Sequence, residues 1–363
     1  MRVGYRVLLE GQPLDDEATS SLTSVEVEDQ SRLTSMARLT FAADANGADP
    51  VWALLEGGRM GRLAQVDVEA QIGRTFESIF HGHVVDVQVA FPRETGLCSV
   101  EVTCMDPSVR LQLEDKARPW PDRTDGDIAA AIFRAAQMDP VVNETEAAQP
   151  ATERVTTQHG TDLQFLRQLA TRNGFECYVE KDPSSGTIKG HFHAPAFDAR
   201  PQGVLQMARG EASSLLSLRI RHDLLRPAAA TARSIRIATL EVQEGAQDRT
   251  SRPALGEEST LIGGAARTML LSRSGLVDQA ELRRWAQATV DVSAVSLTAE
   301  GELEPAVYRA VLRAHRTVAL RGVGERFSGT YYVETVTHLF EQTGYRVWFT
   351  LSRNALRARE VSP

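Results

Sequence analysis

The sequence has few cysteines, almost no lysine and no long apolar run. Its three cysteines (Cys98, Cys104 and Cys177) form no closely spaced pair, which argues against a disulfide framework and against a thiolate zinc site. We expect them to be buried, reduced side chains. No stretch approaches the roughly 20 apolar residues of a membrane-spanning helix, and no cationic-then-apolar signal segment opens the chain. If the protein leaves its cell, we expect it to do so within an assembly or after lysis.

An excess of positive charge is also absent. The formal net charge is −8, whereas a surface that binds nucleic acid normally carries a basic excess. Nearly all basic residues are arginine, which favours forked pairing with carboxylates at protein interfaces. The 363 residues, with 42% hydrophobic and 24% charged, are typical of a soluble protein with two or three domains. Composition therefore favours protein partners.

Motifs for catalysis are scarce. The sequence has neither a Gly-x-x-x-x-Gly-Lys nor a Gly-x-Gly-x-x-Gly loop for phosphates, and Ser328 lacks the Gly-x-Ser-x-Gly elbow of hydrolases. The acidic runs 15–17 and 257–258 lie in polar segments that we expect to face solvent. A general acid–base pair instead needs opposed carboxylates in different environments. The pattern favours a protein that is not an enzyme.

Two His-x-His pairs are the best candidates for a metal site. They are His81 with His83, and His191 with His193. In a strand, residues two apart lie on the same face, within reach of one ion. Because no cysteine and no His-Glu-x-x-His motif accompanies either pair, we expect exposed strand histidines and neither metal nor cofactor.

The first ~110 residues alternate between apolar and polar side chains, as strands with one buried face do. Gly, Asn, Asp and Pro clusters separate the runs, and short strands at near-regular spacing favour a barrel or a sandwich. The predicted strands are 24–28, 38–41, 66–69, 84–89 and 100–103.

The pattern changes after Asp115. The stretch 118–121, Arg-Pro-Trp-Pro, cannot extend a helix or a central strand, so it predicts a boundary. Thr124 precedes Asp127 by three residues, which predicts the capped start of a helix. A second helix is predicted from Thr161, which has Gln164 three residues later, to Gly174. We expect its apolar stripe of Phe165, Leu166 and Leu169 to pack in a core.

The remaining elements follow the same two periodicities. A helix is predicted at 277–291, with Leu282 and Trp285 on one face. Strands are predicted at 175–179, 189–193, 218–221, 235–242, 318–321, 331–339 and 345–351.

Several segments together resemble one known family. Residues 158–178 contain a polar-Asp-x-x-Phe-Leu-x-x-Leu-Ala block that ends in Gly and an aromatic pair. Residues 79–84 are similar to the family's strand with an aromatic-x-Gly core, 104–107 to its strand ending in Asp, and 327–338 to its last hairpin. In this order, the chain resembles the phage late control protein D family and the N-terminal hub region of type VI secretion spike proteins. The positions that match the family signature are Phe80, Gly82, Asp106, Asp162, Phe165, Leu166, Leu169, Gly174, Gly329, Tyr331 and His338. We expect His338 to be an interior hydrogen-bonded residue.

The resemblance implies a mainly β fold with an α+β insertion, in which two tube-like β-barrels per subunit form a pseudo-sixfold ring as a trimer. We predict a first barrel at 1–114, an α/β insertion domain at 115–202, and a second barrel at 203–243 and 300–357. A helix-containing peripheral insertion is predicted at 244–299. Six barrels in a threefold assembly would match both a sixfold tube and a threefold spike.

The function implied by the resemblance is structural. It is that of a baseplate hub in a contractile tail-like injection machine, which nucleates the tube and attaches the spike. The implied partners are further copies as a homotrimer, the inner tube protein, the spike protein, and baseplate wedge or adaptor proteins, with no nucleic-acid surface and no membrane insertion. We expect the protein in the cytoplasm during assembly and then in a phage tail, a tailocin, or an extracellular or intracellular injection particle. Because the sequence stops at Pro363 without a needle domain, we expect the spike to be a separate polypeptide. The alternatives are a baseplate-associated cell-wall hydrolase with an unrecognised carboxylate site, and a soluble binding module.

Overall fold

A computed structural model describes residues 4–44, 50–92, 97–146, 155–236, 240–261, 264–272 and 279–358. Strands predominate, and a segment that contains two helices follows the first strand-rich region. This confirms the prediction of a mainly β fold. Within the described ranges, no helix has the length and apolar character to cross a membrane.

The first region contains all five strands that alternation predicted. In β3, for example, Val25 and Val27 are buried while Glu26 and Glu28 are partly exposed, because alternate side chains point to opposite faces. Two short helices were not predicted, although Asp15 caps α1 by accepting a hydrogen bond from Ala18 N. The elements are β1 (Tyr5–Leu9), β2 (Gln12–Pro13), α1 (Asp16–Ser21), β3 (Leu22–Gln30), β4 (Met36–Asp44), α2 (Pro50–Glu56), β5 (Gln65–Ile72), β6 (Thr75–Ala90) and β7 (Leu97–Met105).

The middle region contains the two predicted helices, and both begin with a capping box. Thr124 pairs with Asp127, and Thr161 with Gln164. Gly174 ends the second helix in the left-handed conformation, with φ of 65°, which glycine adopts without steric penalty. A 3-10 helix (Pro107–Leu111) precedes the region. Its elements are β8 (Asp115–Trp120), α3 (Asp125–Ala135), β9 (Asp139–Val142), β10 (Thr156–Thr161), α4 (Asp162–Asn173), β11 (Glu176–Lys181) and β12 (Ile188–His193).

The boundary at 118–121 stays a prediction. Residues up to Trp120 belong to strand β8, which is not a central strand: within the described ranges it pairs with β10 alone, and Pro119 lies opposite Thr157. Proline has no N–H to donate to a neighbouring strand. It is therefore tolerated in an edge strand, such as either strand of a two-stranded sheet, but not in a central strand.

The last region contains the strands predicted at 218–221, 318–321, 331–339 and 345–351. It also contains the long helix α5, of which the predicted residues 277 and 278 lie outside the described ranges. A second 3-10 helix spans Gly210–Ala212. The elements are β13 (Val204–Gln206), β14 (Leu215–His222), β15 (Ala228–Arg236), β16 (Glu241–Gln247), β17 (Glu258–Ser259), β18 (Arg267–Ser272), α5 (Gln279–Ala294), β19 (Leu297–Leu303), α6 (Pro305–Tyr308), β20 (Thr317–Arg321), β21 (Gly329–Glu341), β22 (Gly344–Arg353) and β23 (Ala355–Leu356).

The prediction of one strand at 235–242 is wrong. β15 ends at Arg236 and β16 begins at Glu241, and the two strands are antiparallel with Ile235 opposite Val242. Alternation continues through both strands, so the pattern by itself could not locate the reversal. Residues 237–239 lie outside the described ranges.

One large sheet joins the first and last regions. Its 13 strands follow the order β14-β19-β22-β21-β3-β4-β7-β6-β5-β1-β2, and β20 and β13 branch from β21. The joint is the antiparallel pairing of β3 with β21, which runs from Gln30 opposite Thr335 to Ser24 opposite Glu341. Separate apolar cores lie under the two parts of the sheet, one around Phe41 and Val100 and one around Leu320 and Leu351. A third core belongs to the middle region. We call the parts of the sheet, with their cores, the first half and the second half.

Candidate functional site

In the first half, the signature residues Phe80, Gly82 and Asp106 are structural in their contacts. Phe80 is part of the first core. A Cβ atom at Gly82 would lie 2.1 Å from Met105 O, so the approach of β7 requires glycine there. Asp106 caps the 3-10 helix by accepting a hydrogen bond from Ser108 N, and it also accepts one from Ser35 N, just before β4. Burial raises the pKa of its carboxyl to about 6.

In the middle region, the signature residues position helix α4. Asp162 accepts hydrogen bonds from Lys116 Nζ at 2.6 Å and Gln158 Nε2 at 2.7 Å. These contacts hold the start of the helix against β8 and β10. The predicted core packing of the helix stripe is confirmed, since Phe165, Leu166 and Leu169 all lie in the third core.

In the second half, the signature residues surround the start and middle of β21. Gly329 has φ of 136° and leaves space for the guanidinium of Arg353. The Tyr331 hydroxyl donates to Phe327 O at 2.8 Å. His338 is buried, and its Nδ1 lies 2.7 Å from Tyr345 Oη, which confirms the prediction of an interior hydrogen-bonded histidine.

These signature positions do not converge on one site. They lie in three separate cores and at element ends, where they fix helix starts, close strand contacts and a hairpin. Their role as a family signature stays a prediction.

The first histidine pair is buried, which corrects the expectation of exposed histidines. The rings of His81 and His83 lie 6.1 Å apart. Nδ1 of His81 is 2.7 Å from Asp67 Oδ1, and Lys181 Nζ donates to the same carboxyl. Burial opposes the charge on Asp67, but these hydrogen bonds hold the pKa of its carboxyl well below the usual range. Both nitrogens of His83 are occupied by Leu63 O and Arg110 Nη2, and an adjacent guanidinium disfavours a metal ion.

The second histidine pair belongs to a buried group that we call the junction cluster, because it joins the middle region to the second half. Tyr178 of β11 is stacked between His191, with centroids 4.3 Å apart, and His315, with centroids 3.4 Å apart. His191 Nδ1 lies 3.1 Å from His193 Nε2. The members of the cluster are Glu176, Tyr178, His191, His193, His315 and Tyr332.

Hydrogen bonds and charge tie the junction cluster together. The Tyr332 hydroxyl donates to Glu176 Oε2 at 2.5 Å, and His315 Nδ1 lies 3.6 Å from the same oxygen. Burial lowers the pKa of His193. Burial also opposes the charging of His315, but the Glu176 carboxylate outweighs it and raises the pKa of this histidine. The stack of Tyr178 on His315 and the hydrogen bond from Tyr332 to Glu176 attach β11 to the second half. Sequence reasoning missed His315 and Tyr332, because they are far from the His-x-His pair in the chain, and it gave no role to Glu176, which lies 15 residues before His191.

Across the described ranges, no group of three or more His, Cys, Asp and Glu side chains is arranged to hold a metal ion. The acidic runs do not form one site either. Asp15 caps α1, whereas Glu258 lies 3.9 Å from Arg357 near the other end of the chain. The three cysteines are buried and free, as predicted, and burial raises the pKa of the Cys177 thiol to about 12, so this thiol is not a poised nucleophile.

The large sheet offers extended surfaces. One face of the large sheet is partly exposed across the β3–β21 joint, where Glu28 pairs with Thr337 and Thr337 pairs with Trp348. The opposite face is buried on the cores. We call the partly exposed face the open face. Its central residues are Glu26, Glu28, Thr335, Thr337, Trp348 and Thr350.

One end of the sheet is an open edge. Strand β14 pairs with β19 only, so the backbone groups on its other side form no ladder within the described ranges. A bulge between Leu215 and Ser217 leaves Leu216 57% exposed. At the opposite end of the sheet, β2 has only two residues and one of them is Pro13, which blunts that edge. The edge of β14 is eight residues long, so it offers a surface for pairing or packing.

Solved structures share this fold. The 43 kDa tail protein of prophage MuSo2 from Shewanella oneidensis has a TM-score of 0.66 and 13% identity, over 98% of this chain and 99% of that chain. A tail protein from Neisseria meningitidis MC58 has a TM-score of 0.65 and 10% identity, over 100% of both chains. The E. coli c3393 protein, described as a type VI secretion component similar to the T4 tail proteins gp27 and gp5, has a TM-score of 0.58 and 10% identity, over 100% of this chain and 80% of that chain. The chain therefore has a phage tail protein fold.

Comparison of the sequence with family models identifies the family of the chain. No curated protein matches the chain, and the assignment to the late control protein D family stays a prediction. Residues 1–342 match the family model described as the Alg8 N-terminal domain. Because that match spans most of the chain, the protein belongs to the Alg8 N-terminal domain family.

Proposed function

We propose that this chain is the structural hub of a contractile tail-like injection machine, where it joins the sixfold inner tube to a threefold spike. The observation that carries the proposal is the β3–β21 pairing. It makes one continuous sheet out of two halves with separate cores, so a single chain presents two β units side by side. Three such chains would offer six units to a tube ring and keep a threefold face for a spike.

The open face suits the wall of a channel. Its central residues are threonine, glutamate and one tryptophan, and Glu26 is paired with Arg38. The centre of the face therefore has no excess of positive charge that would retain nucleic acid. In the proposed ring, the two barrels correspond to 1–114 and to 203–243 with 300–357. The insertions at 115–202 and 244–299 would lie outside them.

The open edge of β14 supports assembly with a further copy. Natural proteins cover or blunt long edge strands, because unpaired N–H and C=O groups invite other chains. A neighbouring subunit in the trimer would cover β14. The fold shared with tail proteins and with a type VI secretion component supports the same role. The other proposed partners are the inner tube protein, the spike, and baseplate wedge or adaptor proteins, met first in the cytoplasm and then within the particle.

The test is the mass of the purified chain in solution, combined with binding of the spike and seeding of tube protein. We expect a mass of three chains. Leu216→Lys places a charge on the open edge and should shift the mass toward one chain. Leu33→Lys is the matched control, since Leu33 is 55% exposed and lies in the β3–β4 connection, away from β14. A persistent monomer that neither binds spike nor seeds tube would refute the hub.

A further inference from the structure

A cavity lies where the middle region, helix α5 and the sheet meet. Its volume is about 260 Å³, below the ~300 Å³ at which pockets for drug-sized ligands begin, and closer to the size of one amino-acid residue. Three arginines and three carboxylates line it, together with an apolar wall. The charged residues are Arg32, Arg167, Arg252, Glu176, Asp291 and Glu334. We call this space the arginine cavity.

The carboxylates of the arginine cavity are already occupied by donors of the protein. Asp291 accepts hydrogen bonds from Thr250 Oγ1, Ser251 N and Ser251 Oγ. Glu334 accepts from two serine hydroxyls, one at each oxygen. Glu176 accepts the hydroxyl of Tyr332. These acids therefore have little capacity left for a ligand.

The arginines have donors to spare. A guanidinium carries five N–H donors, but Arg167 has one hydrogen bond, from Nη2 to Thr34 Oγ1, and its buried Nε has no acceptor within the described ranges. Arg252 donates Nη2 to Gly174 O, and its Nε is 3.5 Å from Asp291. The Arg32 side chain is 55% exposed and its Nε lies 3.7 Å from a Glu334 carboxylate oxygen, so solvent can satisfy its donors. The buried donor that lacks an acceptor within the described ranges is Nε of Arg167. Because such a donor is costly, it favours an anionic ligand that accepts from it.

The rest of the lining is apolar. Phe175 and Phe197 line it, together with Val292 in the last turn of α5 and Val295 just after the helix. Val292 is 39% exposed, which places it where the cavity opens to solvent. A ligand that fits must combine a planar anion for the guanidinium groups with an apolar body for this wall.

We propose that the arginine cavity binds a carboxylate carried on an apolar residue, namely the C-terminal residue of a partner chain. A carboxylate presents two oxygens in one plane, which match the forked donors of arginine, whereas an inorganic anion would leave the apolar wall unfilled. The site is independent of the proposed ring, because no part of the open face or the open edge contributes to it.

The first test uses isothermal titration of the full chain with N-acetyl-leucine and N-acetyl-leucinamide, which differ only in the carboxylate. We expect the amide to bind at least tenfold more weakly. A peptide with a C-terminal leucine tests the source: binding at least as tight as that of N-acetyl-leucine supports a partner chain end. Binding of the small acid alone would overturn the chain-end assignment, and equal affinity for acid and amide would overturn the site.

Variants locate the binding. Arg167→Gln should weaken binding of N-acetyl-leucine at least tenfold, while Arg74→Gln, in an exposed turn, should leave it unchanged. Val292→Trp fills the opening without changing any charge and should also abolish binding. If Arg167→Gln does not fold, Val292→Trp and the comparison of acid with amide still test whether the carboxylate binds in the arginine cavity. Unchanged affinity in Val292→Trp would refute the location.

Discussion

Protonation of His338 should destabilise the protein below neutral pH. His338 lies on β21 and is 2% exposed, and its Nδ1 contacts the Tyr345 hydroxyl. Burial lowers its pKa to about 4, whereas an unfolded chain has a histidine pKa of about 6.5. The folded protein therefore holds the neutral ring, and the unfolded chain binds a proton first when the pH falls.

The sign and size follow from these two pKa values. The folded-state pKa of a cationic group lies below its unfolded value, so the contribution of His338 to stability is complete above pH 6.5 and is lost as the pH falls from 6.5 toward 4. Because proton binding is linked to folding, the difference between the two pKa values lowers the free energy of unfolding by about 2 kcal/mol at pH 5 and by about 3 kcal/mol at pH 4.

The assay is urea unfolding of the native sequence and of His338→Gln at pH 7 and pH 5. Glutamine keeps a hydrogen-bonding group for Tyr345 but has no titrating proton. Other groups that shift with pH, such as His193 and His315, are common to both proteins and cancel in the difference. We expect the free energy of unfolding to fall by about 2 kcal/mol less in His338→Gln than in the native sequence. An equal fall in both proteins would refute a neutral, buried His338.

Three further substitutions test the local arguments. Thr161→Ala removes the side-chain cap of α4 and should lower the free energy of unfolding by about 1 kcal/mol, measured in urea. Phe165→Ala leaves a cavity in the third core and should cost about 3–5 kcal/mol in the same assay. Gly82→Ala places a Cβ atom against Met105 O, so we expect it to prevent normal pairing of β6 with β7 and to yield little folded protein by circular dichroism.

Each of these has a control. Thr161→Ser keeps the capping hydroxyl and should be near native, while Gln168→Ala, on the exposed side of the same helix, should have almost no effect. Gly73→Ala tests a glycine with open space around it, where only the left-handed φ of 65° adds strain. If Gly82→Ala were as well tolerated as Gly73→Ala, the close contact with β7 would be wrong. A loss below 1 kcal/mol for Phe165→Ala would contradict its core position.

The histidine pairs show where prediction from the sequence ended. Their two-residue spacing placed each pair on one face of a strand, and the ring separations agree. The burial of the second pair did not follow from the spacing, because it depends on His315 and Tyr332, which come more than a hundred residues later. The arginine cavity is similar, since Arg32, Arg167 and Arg252 carry no shared motif and meet only in the folded chain.

The sequence by itself determined the elements whose signals are local. Alternation gave β3 to β7, β21 and β22, and the reciprocal hydrogen bonds of Thr161 and Gln164 defined the start of α4, because a strand face or a helix cap needs only near neighbours in the chain. The tertiary structure alone decided that β3 pairs with β21, that β15 and β16 pair antiparallel, and that β14 pairs on one side only within the described ranges. These features depend on contacts between residues far apart in sequence, and any strand with one apolar face could satisfy its own pattern against many partners.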